Sequence, residues 1–295
     1  MSTAIRILQF GATGQVAHAL LRATDGQFAV RALTRSDADF LHPAQIADAI
    51  ARSDAADVVI NATAYTAVDK AESDEAGAQT VNSESVGALA RACAKRSVPL
   101  IHLSTDYVFD GTKSTPYLED DAPHPVSAYG RSKLAGEEAI RSAGRLHAIV
   151  RTSWVYSAQG SNFVKTMLRL GRERPELRVV DDQHGAPTSS TSIARAVLTM
   201  AERIVRAPAA ECFGTFHYTD AGETTWRRFA EAIFARAGLD VRVVPITTAE
   251  YPTPARRPAN SRLDCAKIER VFGVSRTHWQ ESLARVLDEL AAGGR

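Results

Sequence analysis

The sequence Ile5-Arg-Ile-Leu-Gln-Phe-Gly-Ala-Thr-Gly-Gln-Val16 decides the fold of this chain. Its apolar first part, residues 4–10, predicts a short buried strand, and residues 11–14, with a glycine at each end, predict a tight turn. Residues 16–21 predict the start of a helix. A strand, a turn and a helix in direct succession form the unit from which parallel α/β sheets are built.

The two glycines of this turn suit a bound dinucleotide. Gly11 and Gly14 allow the backbone to turn tightly and to approach a pyrophosphate, whose charge is met by amides at the N-terminus of the following helix. Ala17 replaces the third glycine of the usual pattern and is small enough for helix–sheet packing. An ordinary strand-to-helix turn is the alternative. The regular alternation of strands and helices along the chain favours the dinucleotide-binding turn.

Four more strand-like stretches follow, each preceded by a segment of helix length. They are residues 30–34, 57–61, 98–104 and 146–152. Such alternation implies right-handed crossovers and a parallel sheet that is covered on both faces. We therefore expect an α/β fold with a doubly wound parallel (Rossmann) sheet, whose ligands bind beyond the carboxyl ends of the strands.

The alternation weakens after about residue 155, where two proline-containing loops, residues 183–188 and 251–258, interrupt the pattern. This change predicts a smaller, discontinuous C-terminal lobe that binds the substrate. The predicted division assigns residues 1–155 and a returning segment near 186–207 to the cofactor-binding Rossmann domain, and residues 156–185 and 208–295 to the lobe.

Composition and charge exclude several classes of function. Hydrophobic residues make up 45% of the 295 residues and charged residues 23%, and the formal net charge is +1. We therefore expect no general attraction for nucleic acid or an anionic membrane. No stretch approaches the roughly 18 apolar residues of a membrane span. The three cysteines are widely spaced and the eight histidines lack metal-ligand spacing, so we expect a cytoplasmic protein without disulfides or a metal site.

The motif Tyr129-Gly-Arg-Ser-Lys133 carries the most chemical information. In a helix, residues four apart lie on the same face, and a lysine ammonium beside a phenol favours the phenolate. Such a tyrosine can protonate the oxygen of a carbonyl while hydride reaches the carbon. Thr105, or less favourably Ser104, ends the fourth strand and can hydrogen-bond the same oxygen. The alternatives are a solvated helix face and hydroxyls that bond local backbone.

The end of the second strand predicts which nicotinamide cofactor is used. An acidic residue is usual there when the ribose 2′-hydroxyl of NAD is bound, whereas this chain has Thr34 followed by Arg35. The cation favours NADPH, with NADH possible, unless Arg35 is only a solvated surface charge.

The chain also resembles the dTDP-4-dehydrorhamnose reductase family, which has the extended short-chain dehydrogenase/reductase fold. The resemblance runs nearly from end to end and rests on eight blocks. These blocks are Phe10-Gly-Ala-Thr-Gly-Gln-Val16, Asn61-Ala-Thr-Ala-Tyr-Thr-Ala-Val-Asp-Lys-Ala-Glu72, Ser104-Thr-Asp-Tyr-Val-Phe-Asp-Gly111, Tyr129-Gly-Arg-Ser-Lys-Leu-Ala-Gly-Glu137, Arg151-Thr-Ser-Trp-Val-Tyr156, Asn162-Phe-Val-Lys-Thr-Met-Leu168, Asp182-Gln-His-Gly-Ala-Pro-Thr188 and Arg257-Pro-Ala-Asn-Ser-Arg-Leu263.

The resemblance implies reduction of the C4 ketone of dTDP-6-deoxy-L-lyxo-4-hexulose to dTDP-L-rhamnose by NADPH or NADH. It makes Tyr129 the general acid, gives Lys133 the tasks of lowering the tyrosine pKa and holding the nicotinamide ribose, and lets Thr105 orient the carbonyl. The implied cofactor-binding residues are Gly11, Gly14, Gln15, Val16, Arg35, Asp39, Phe40, Ala62, Ala64, Tyr65, Thr66, Tyr129 and Lys133. The implied substrate-binding residues are Thr105, Asp106, Trp154, Asn162, Arg257 and Asn260.

The resemblance also bears on assembly, because some members of this family dimerise through Mg²⁺ held by glutamates. At the matching positions this chain has Ala19, Thr191 and Glu289, so that one carboxylate remains. A hard cation needs several oxygen ligands, so we expect no magnesium-bridged homodimer.

Two rival functions remain at this point. One is a nucleotide-sugar epimerase or dehydratase on the same scaffold, which would keep its NAD bound and regenerate it in each turnover. The other is a non-catalytic regulatory subunit that binds the cofactor. The presence of Thr105, Tyr129 and Lys133 together argues against the second.

Overall fold

The computed structural model describes residues 4–293. Its strands are β1 (Ile5–Phe10), β2 (Phe28–Leu33), β3 (Val58–Asn61), β4 (Leu100–Thr105), β5 (His147–Thr152), β6 (Val155–Tyr156), β7 (Glu176–Val180), β8 (His184–Gly185), β9 (Thr188–Ser189), β10 (Gly214–His217), β11 (Thr224–Thr225) and β12 (Arg242–Ile246). Its α-helices are α1 (Gln15–Ala23), α2 (Pro43–Arg52), α3 (Val68–Ala71), α4 (Glu75–Gln79), α5 (Ser85–Lys95), α6 (Ala128–Ala143), α7 (Phe163–Glu173), α8 (Ser190–Arg206), α9 (Trp226–Ala237), α10 (Ala266–Phe272) and α11 (Trp279–Gly293).

A six-stranded parallel sheet forms the centre of the molecule, in the order β10-β5-β4-β3-β1-β2. The five strands predicted from the sequence are all present in it. The chain runs outward from β1 to β2 and then returns to the other side of β1 to form β3, so the strand order reverses there. Ligands of doubly wound sheets bind in the crevice at such a reversal. The predicted α/β Rossmann fold is confirmed.

Apolar clusters cover both faces of the sheet, as its near-continuous hydrophobic strands require. One face packs against α1, α8 and α10, and the other against α2, α5 and α6. The helix α8 therefore returns to the sheet, in the segment that the sequence analysis assigned to the Rossmann domain. Along β1, β3 and β5 the side chains are almost completely buried.

The sequence analysis did not predict the sixth strand. It placed residues 208–295 in the lobe, but β10 pairs in parallel with β5 at the edge of the central sheet. The helix α10 packs against the same sheet through Ile268 and Phe272. The predicted boundary is therefore corrected: β10 and α10 belong with the central sheet and not with the lobe.

A separate apolar cluster lies in the C-terminal part of the chain. It joins α7, α9 and α11 to the parallel pair formed by β7 and β12. Its centre is aromatic, since the Phe229 ring contacts Tyr156, Phe163 and Trp279. Tyr156 of β6 belongs to this cluster, and β6 begins three residues after β5 ends, so the cluster adjoins the carboxyl end of the sheet.

No helix within residues 4–293 is long and apolar enough to cross a membrane.

Candidate active site

The glycine turn at the end of β1 is built for a close approach of backbone to ligand. Gly11 has a φ of +94°, and a Cβ there would come within 2.9 Å of Thr63 Oγ1 and 3.3 Å of the Ala62 carbonyl oxygen, so only glycine fits without strain. Gln9, buried beneath the turn, donates from its Nε2 to the Gly11 oxygen at 2.8 Å and to the Ala17 oxygen at 3.0 Å. The turn is therefore fixed from below.

The first turn of α1 leaves its amides available to an anion. Gly14 occupies the N-cap with extended backbone and has no side chain to cap them, and no acidic residue lies in the first turn. The dipole of the helix favours negative charge at this end. Gly14, Gln15 and Val16 are thus placed at the reversal point of the sheet, where a pyrophosphate fits.

The loop after β2 is held by a carboxylate that the sequence analysis did not mention. Asp37 accepts from the Thr34 amide at 2.8 Å and from its hydroxyl at 2.7 Å. Arg35 is 80% exposed and lies 3.8 Å from Asp39, so its guanidinium is available to a ligand. The Phe40 ring is buried in the core against Phe10, which leaves the ring no surface for an adenine.

The loop after β3 lies beside the glycine turn. This loop contains four of the predicted cofactor-binding residues, which are partly or fully exposed: Ala62, Ala64, Tyr65 and Thr66. Tyr65 is anchored, because its hydroxyl donates to Asp74 Oδ2 at 3.0 Å and its amide donates to Asn82 Oδ1 at 2.9 Å.

Tyr129 and Lys133 lie one turn apart on α6, as the spacing predicted. The helix begins after Ser127, whose hydroxyl accepts from the Gly130 amide at 3.1 Å. Both side chains are buried. Burial raises the pKa of Tyr129 above its ordinary value and the Asp106 charge raises it further, whereas a hydrogen bond with Thr105 lowers it. The phenol therefore stays protonated at neutral pH.

The structure does not show the expected lowering of the Tyr129 pKa by Lys133. Lys133 Nζ lies 3.1 Å from His102 Nε2 and donates to the Leu103 oxygen at 2.7 Å, so its polar contacts are to β4 rather than to the phenol. Burial lowers the pKa of Lys133 to about 8, while the Glu137 charge raises it.

Thr105 and Asp106 follow β4 at the mouth of the crevice. The Thr105 hydroxyl donates to Asp106 Oδ1 at 3.1 Å and accepts from the Tyr107 amide at 3.2 Å. Burial raises the pKa of Asp106 to about 6, and hydrogen bonds from Ser261 and Thr105 oppose this rise. Asp106 Oδ2 is buried and has no hydrogen-bond partner within residues 4–293, which leaves an acceptor for a bound hydroxyl.

Trp154 forms an aromatic wall of the crevice. Its ring stacks on Trp226 with centroids 3.6 Å apart and planes 12° from parallel. Its backbone has a φ of +47°, a costly conformation for a residue of this size. A Cβ at Gly185 would come within 2.5 Å of the indole, so glycine is required on the other flank. The indole is therefore held between Trp226 and Gly185, and a sugar ring can contact the part of Trp154 that stays exposed.

Two of the predicted substrate-binding residues form hydrogen bonds with other residues of the protein. The Asn260 amide nitrogen donates to the Lys113 and Thr115 carbonyls, and its oxygen accepts from Arg262, so this side chain holds a loop and is not free for a nucleotide. Asn162 caps α7, and its nitrogen donates to Gln15 Oε1 at 2.9 Å. Asn162 therefore connects the lobe to the glycine turn.

Arg257, unlike these two asparagines, keeps a polar group available for the substrate that the sequence analysis expected it to bind. Its Nη2 pairs with Asp69 Oδ2 at 2.8 Å, while its buried Nη1 has no partner within the part of the chain that the structure describes. Asp69 also accepts from the Ala255 amide at 3.2 Å. One guanidinium nitrogen is therefore left to meet an anionic ligand.

The sequence analysis overlooked the polar side chains beneath the site. His102 contacts Lys133 and Asn61, and Glu137 accepts from Ser104, Arg141 and Arg151. A histidine within the apolar strand Leu100-Ile-His-Leu103 was the available signal for the first of these. Within residues 4–293 no cluster of three or more metal-ligating side chains is present.

Comparison with known proteins agrees with this geometry. The family model described as "RmlD substrate binding domain" matches residues 5–292. A dTDP-4-dehydrorhamnose reductase of Sinorhizobium fredii is 47% identical and aligns over 99% of both chains. The chain belongs to the dTDP-4-dehydrorhamnose reductase family. The resemblance seen in the sequence is thereby confirmed.

Other members of this family show the same relationship. The Escherichia coli K12 dTDP-4-dehydrorhamnose reductase is 42% identical over 97% of this chain and 98% of its own. A solved structure from Clostridium acetobutylicum superposes with a TM-score of 0.91, 38% identity and coverage of 97% of this chain and 100% of its own. The solved structure of the Bacillus anthracis enzyme in complex with NADP superposes with a TM-score of 0.89 and is 32% identical, and the match covers 97% of this chain and 99% of its own.

Proposed function

We propose that this protein is a dTDP-4-dehydrorhamnose reductase, which uses NADPH to reduce the C4 ketone of dTDP-6-deoxy-L-lyxo-4-hexulose to dTDP-L-rhamnose. The observation that carries the proposal is the placement of Tyr129, Thr105 and Lys133 at the carboxyl ends of the strands, beside an uncapped helix N-terminus. Membership of the reductase family over nearly the whole chain supports the same reaction.

The cofactor fits the residues that are present. The Gly11 turn and the first amides of α1 would hold its pyrophosphate, and Arg35 would meet the 2′-phosphate that distinguishes NADPH from NADH. When bound, NADPH supplies the hydride that reaches the ketone carbon. The related enzyme from Bacillus anthracis was solved with NADP, which supports this choice.

The side chains of the crevice donate the proton, orient the ketone and bind the substrate. Tyr129, kept protonated by burial, donates its proton to the ketone oxygen as negative charge develops there. The Thr105 hydroxyl exchanges its contact with Asp106 Oδ1 for the same oxygen, donates its one proton in a hydrogen bond to it and orients it. Asp106 Oδ2 accepts from a sugar hydroxyl, and the Trp154 side chain, which is partly exposed, contacts the ring. Arg257 Nη1 meets the diphosphate.

The test is consumption of NADPH in the presence of enzymatically prepared dTDP-4-dehydrorhamnose, followed by the loss of reduced-nicotinamide absorbance, with NADH and a sugar-free mixture alongside. We expect consumption that depends on the sugar and yields dTDP-rhamnose. Turnover of a nucleotide sugar without net NADPH consumption would instead indicate the epimerase or dehydratase. Cofactor binding without turnover of any nucleotide sugar would indicate the regulatory subunit.

We also propose that the enzyme assembles without a bridging magnesium ion and works in the cytoplasm. Glu289, the remaining carboxylate of the family's glutamate set, pairs with Arg22 and accepts from Gln159 Nε2 at 3.2 Å, so its charge is already balanced. Light scattering should give the same mass with magnesium as with a chelator. The cysteines Cys93, Cys212 and Cys265 are buried free thiols, which suits a reducing compartment.

A further inference from the structure

A buried polar chain runs from β3 through β4 to the catalytic helix. Asn61 Nδ2 lies 3.0 Å from His102 Nδ1, and His102 Nε2 lies 3.1 Å from Lys133 Nζ. All three side chains are inaccessible to solvent or nearly so. The family resemblance assigns a role to Lys133, whereas neither it nor the proposed mechanism gives one to Asn61 or His102.

The hydrogen bonds fix where the imidazole proton lies. The Thr63 amide donates to Asn61 Oδ1 at 3.0 Å, so the other end of that side chain, Nδ2, faces His102 and donates to its Nδ1. Burial holds the pKa of His102 well below its ordinary value, so the ring is neutral. Its one proton must therefore be on Nε2, which faces Lys133.

A neutral imidazole with its proton on Nε2 favours the neutral form of the lysine over the ammonium. An ammonium has three donors and no lone pair, so it would face the Nε2–H as a second donor in a dry interior. A neutral amine accepts from the Nε2–H and still donates to the Leu103 oxygen, which lies 2.7 Å away. When Lys133 is uncharged, each of these contacts pairs a donor with an acceptor.

We infer that His102, oriented by Asn61, is a positioning residue that favours the neutral amine of Lys133, so that in mildly alkaline solution binding of NADPH is coupled to uptake of a proton at Lys133. The lone pair of Nζ forms a bond with a proton from solvent, and no electrons are transferred. The resulting ammonium exchanges its contact with His102 for hydroxyl oxygens of the cofactor, which accept its donors. This inference rests on the proposed function and names its regulation by protonation.

The charged groups around Lys133 agree with a titration in an accessible range. Burial lowers its pKa to about 8, and Glu137, one turn along α6, raises it. The Glu137 charge is shared with Arg151 on β5 and with Arg141, which weakens its pull on the lysine. From β4 the facing group is the neutral His102, and Tyr129 on α6 stays protonated.

The test is a calorimetric titration of the full-length protein with NADPH in several buffers of different ionisation enthalpy. The slope of the binding enthalpy against the ionisation enthalpy gives the number of protons taken up. At a pH of about 8.5, half a unit above the pKa of Lys133, the wild-type protein should take up about 0.7 of a proton. At a pH of about 7 it should take up about 0.1 of a proton. The dissociation constant for NADPH should rise correspondingly above a pH of about 8.

Two substitutions reverse the direction of the hydrogen bond to Lys133. Asn61→Asp preserves the acceptor for the Thr63 amide but accepts from His102 Nδ1–H, which leaves Nε2 free to accept from the ammonium. His102→Gln places an amide oxygen near Nζ. Both variants should lower the uptake at pH of about 8.5 to below about 0.2 of a proton. His147→Gln, which removes a histidine at the opposite end of the sheet, should leave the uptake unchanged.

The outcomes separate this inference from the proposed function. NADPH binding without proton uptake by the wild-type protein overturns the inference, as does unchanged uptake in His102→Gln. Sugar-dependent NADPH oxidation, measured on the same preparation, decides the proposed function independently. If Asn61→Asp does not fold, the wild-type protein and His102→Gln still decide the matter.

Discussion

Replacing Glu137 by glutamine removes the carboxylate that balances two arginines beneath the active site. Glu137 is completely buried and accepts from Arg151 Nε at 2.9 Å, Arg151 Nη2 at 2.7 Å, Arg141 Nη2 at 2.7 Å and Ser104 Oγ at 2.6 Å. Arg151 is itself only 1% exposed. Glutamine has nearly the same shape, so the substitution changes charge and hydrogen bonding rather than packing.

The expected loss of stability follows from this geometry. Breaking a buried ion pair by neutralising one partner costs about 3–5 kcal/mol, because the other charge stays buried without compensation. The amide nitrogen of the introduced glutamine would also face a donor of Arg151, whereas the carboxylate accepted there. With a urea dependence of about 3 kcal/mol per molar, the midpoint should fall by about 1–1.7 M.

Urea unfolding followed by circular dichroism measures this midpoint. Glu138→Gln is the matched control, since Glu138 is the exposed neighbour on the same helix and its substitution should change stability by no more than about 0.5 kcal/mol. The double variant Glu137→Leu/Arg151→Met should recover most of the loss, because no uncompensated charge remains at this pair. Equal midpoints for Glu137→Gln and Glu138→Gln would refute the reasoning.

Three further predictions concern the proton donor, the cofactor and the pH range of stability. Tyr129→Phe should lower turnover by at least about two orders of magnitude and leave the NADPH dissociation constant, measured by cofactor fluorescence, nearly unchanged; surviving turnover would exclude Tyr129 as the donor. Arg35→Ala should weaken NADPH binding by about 1 kcal/mol or less, since the side chain is 80% exposed, and should leave NADH binding unchanged; an equal effect on both cofactors would contradict its contact with the 2′-phosphate. Burial, aided by the Arg151 charge, holds the pKa of His217 at about 3, below the value of about 6.5 in the unfolded chain. Between these two pH values the unfolded state therefore binds a proton that the folded state does not. The contribution of His217 to the free energy of unfolding is fully present above a pH of about 6.5, and it falls by up to about 1.4 kcal/mol per pH unit as the pH falls towards 3. The pH dependence of urea midpoints should accordingly be shallower in His217→Gln between pH of about 6 and 5, and an unchanged slope would exclude this residue.

Much of the fold could be predicted because the central strands are buried on both faces. Such strands are continuous apolar runs, and β1, β3, β4 and β5 were visible for this reason. The edge strand β10 has four residues and includes a glycine and a histidine, so its sequence carries no comparable signal. Only its pairing with β5 places it in the sheet.

The candidate site was predictable where its chemistry depends on local spacing. Tyr129 and Lys133 share a helix face because they are four residues apart, and the glycine turn follows from its own sequence. Partners that come from distant strands were not predictable. The contact of Lys133 with His102 joins residues 31 apart and depends on the pairing of β4 with its neighbours.

Asparagine side chains show a second limit of the sequence. Asn260 has the donors and acceptors that a nucleotide needs, but they are used by backbone of residues 113–115 and by Arg262. Whether a polar side chain faces a ligand or a loop depends on the tertiary structure. The left-handed backbone of Trp154 is likewise set by its stacking on Trp226 and by the space at Gly185.

The most direct test of the reductase assignment follows the hydride itself. The protein is supplied with NADPH that carries deuterium at the transferred position of the nicotinamide, together with dTDP-4-dehydrorhamnose, and the product is examined by mass spectrometry and NMR. The account predicts dTDP-rhamnose that carries a single deuterium, at C4 of the sugar, with stoichiometric formation of NADP⁺. Unlabelled product, or label at any other carbon, would contradict the account.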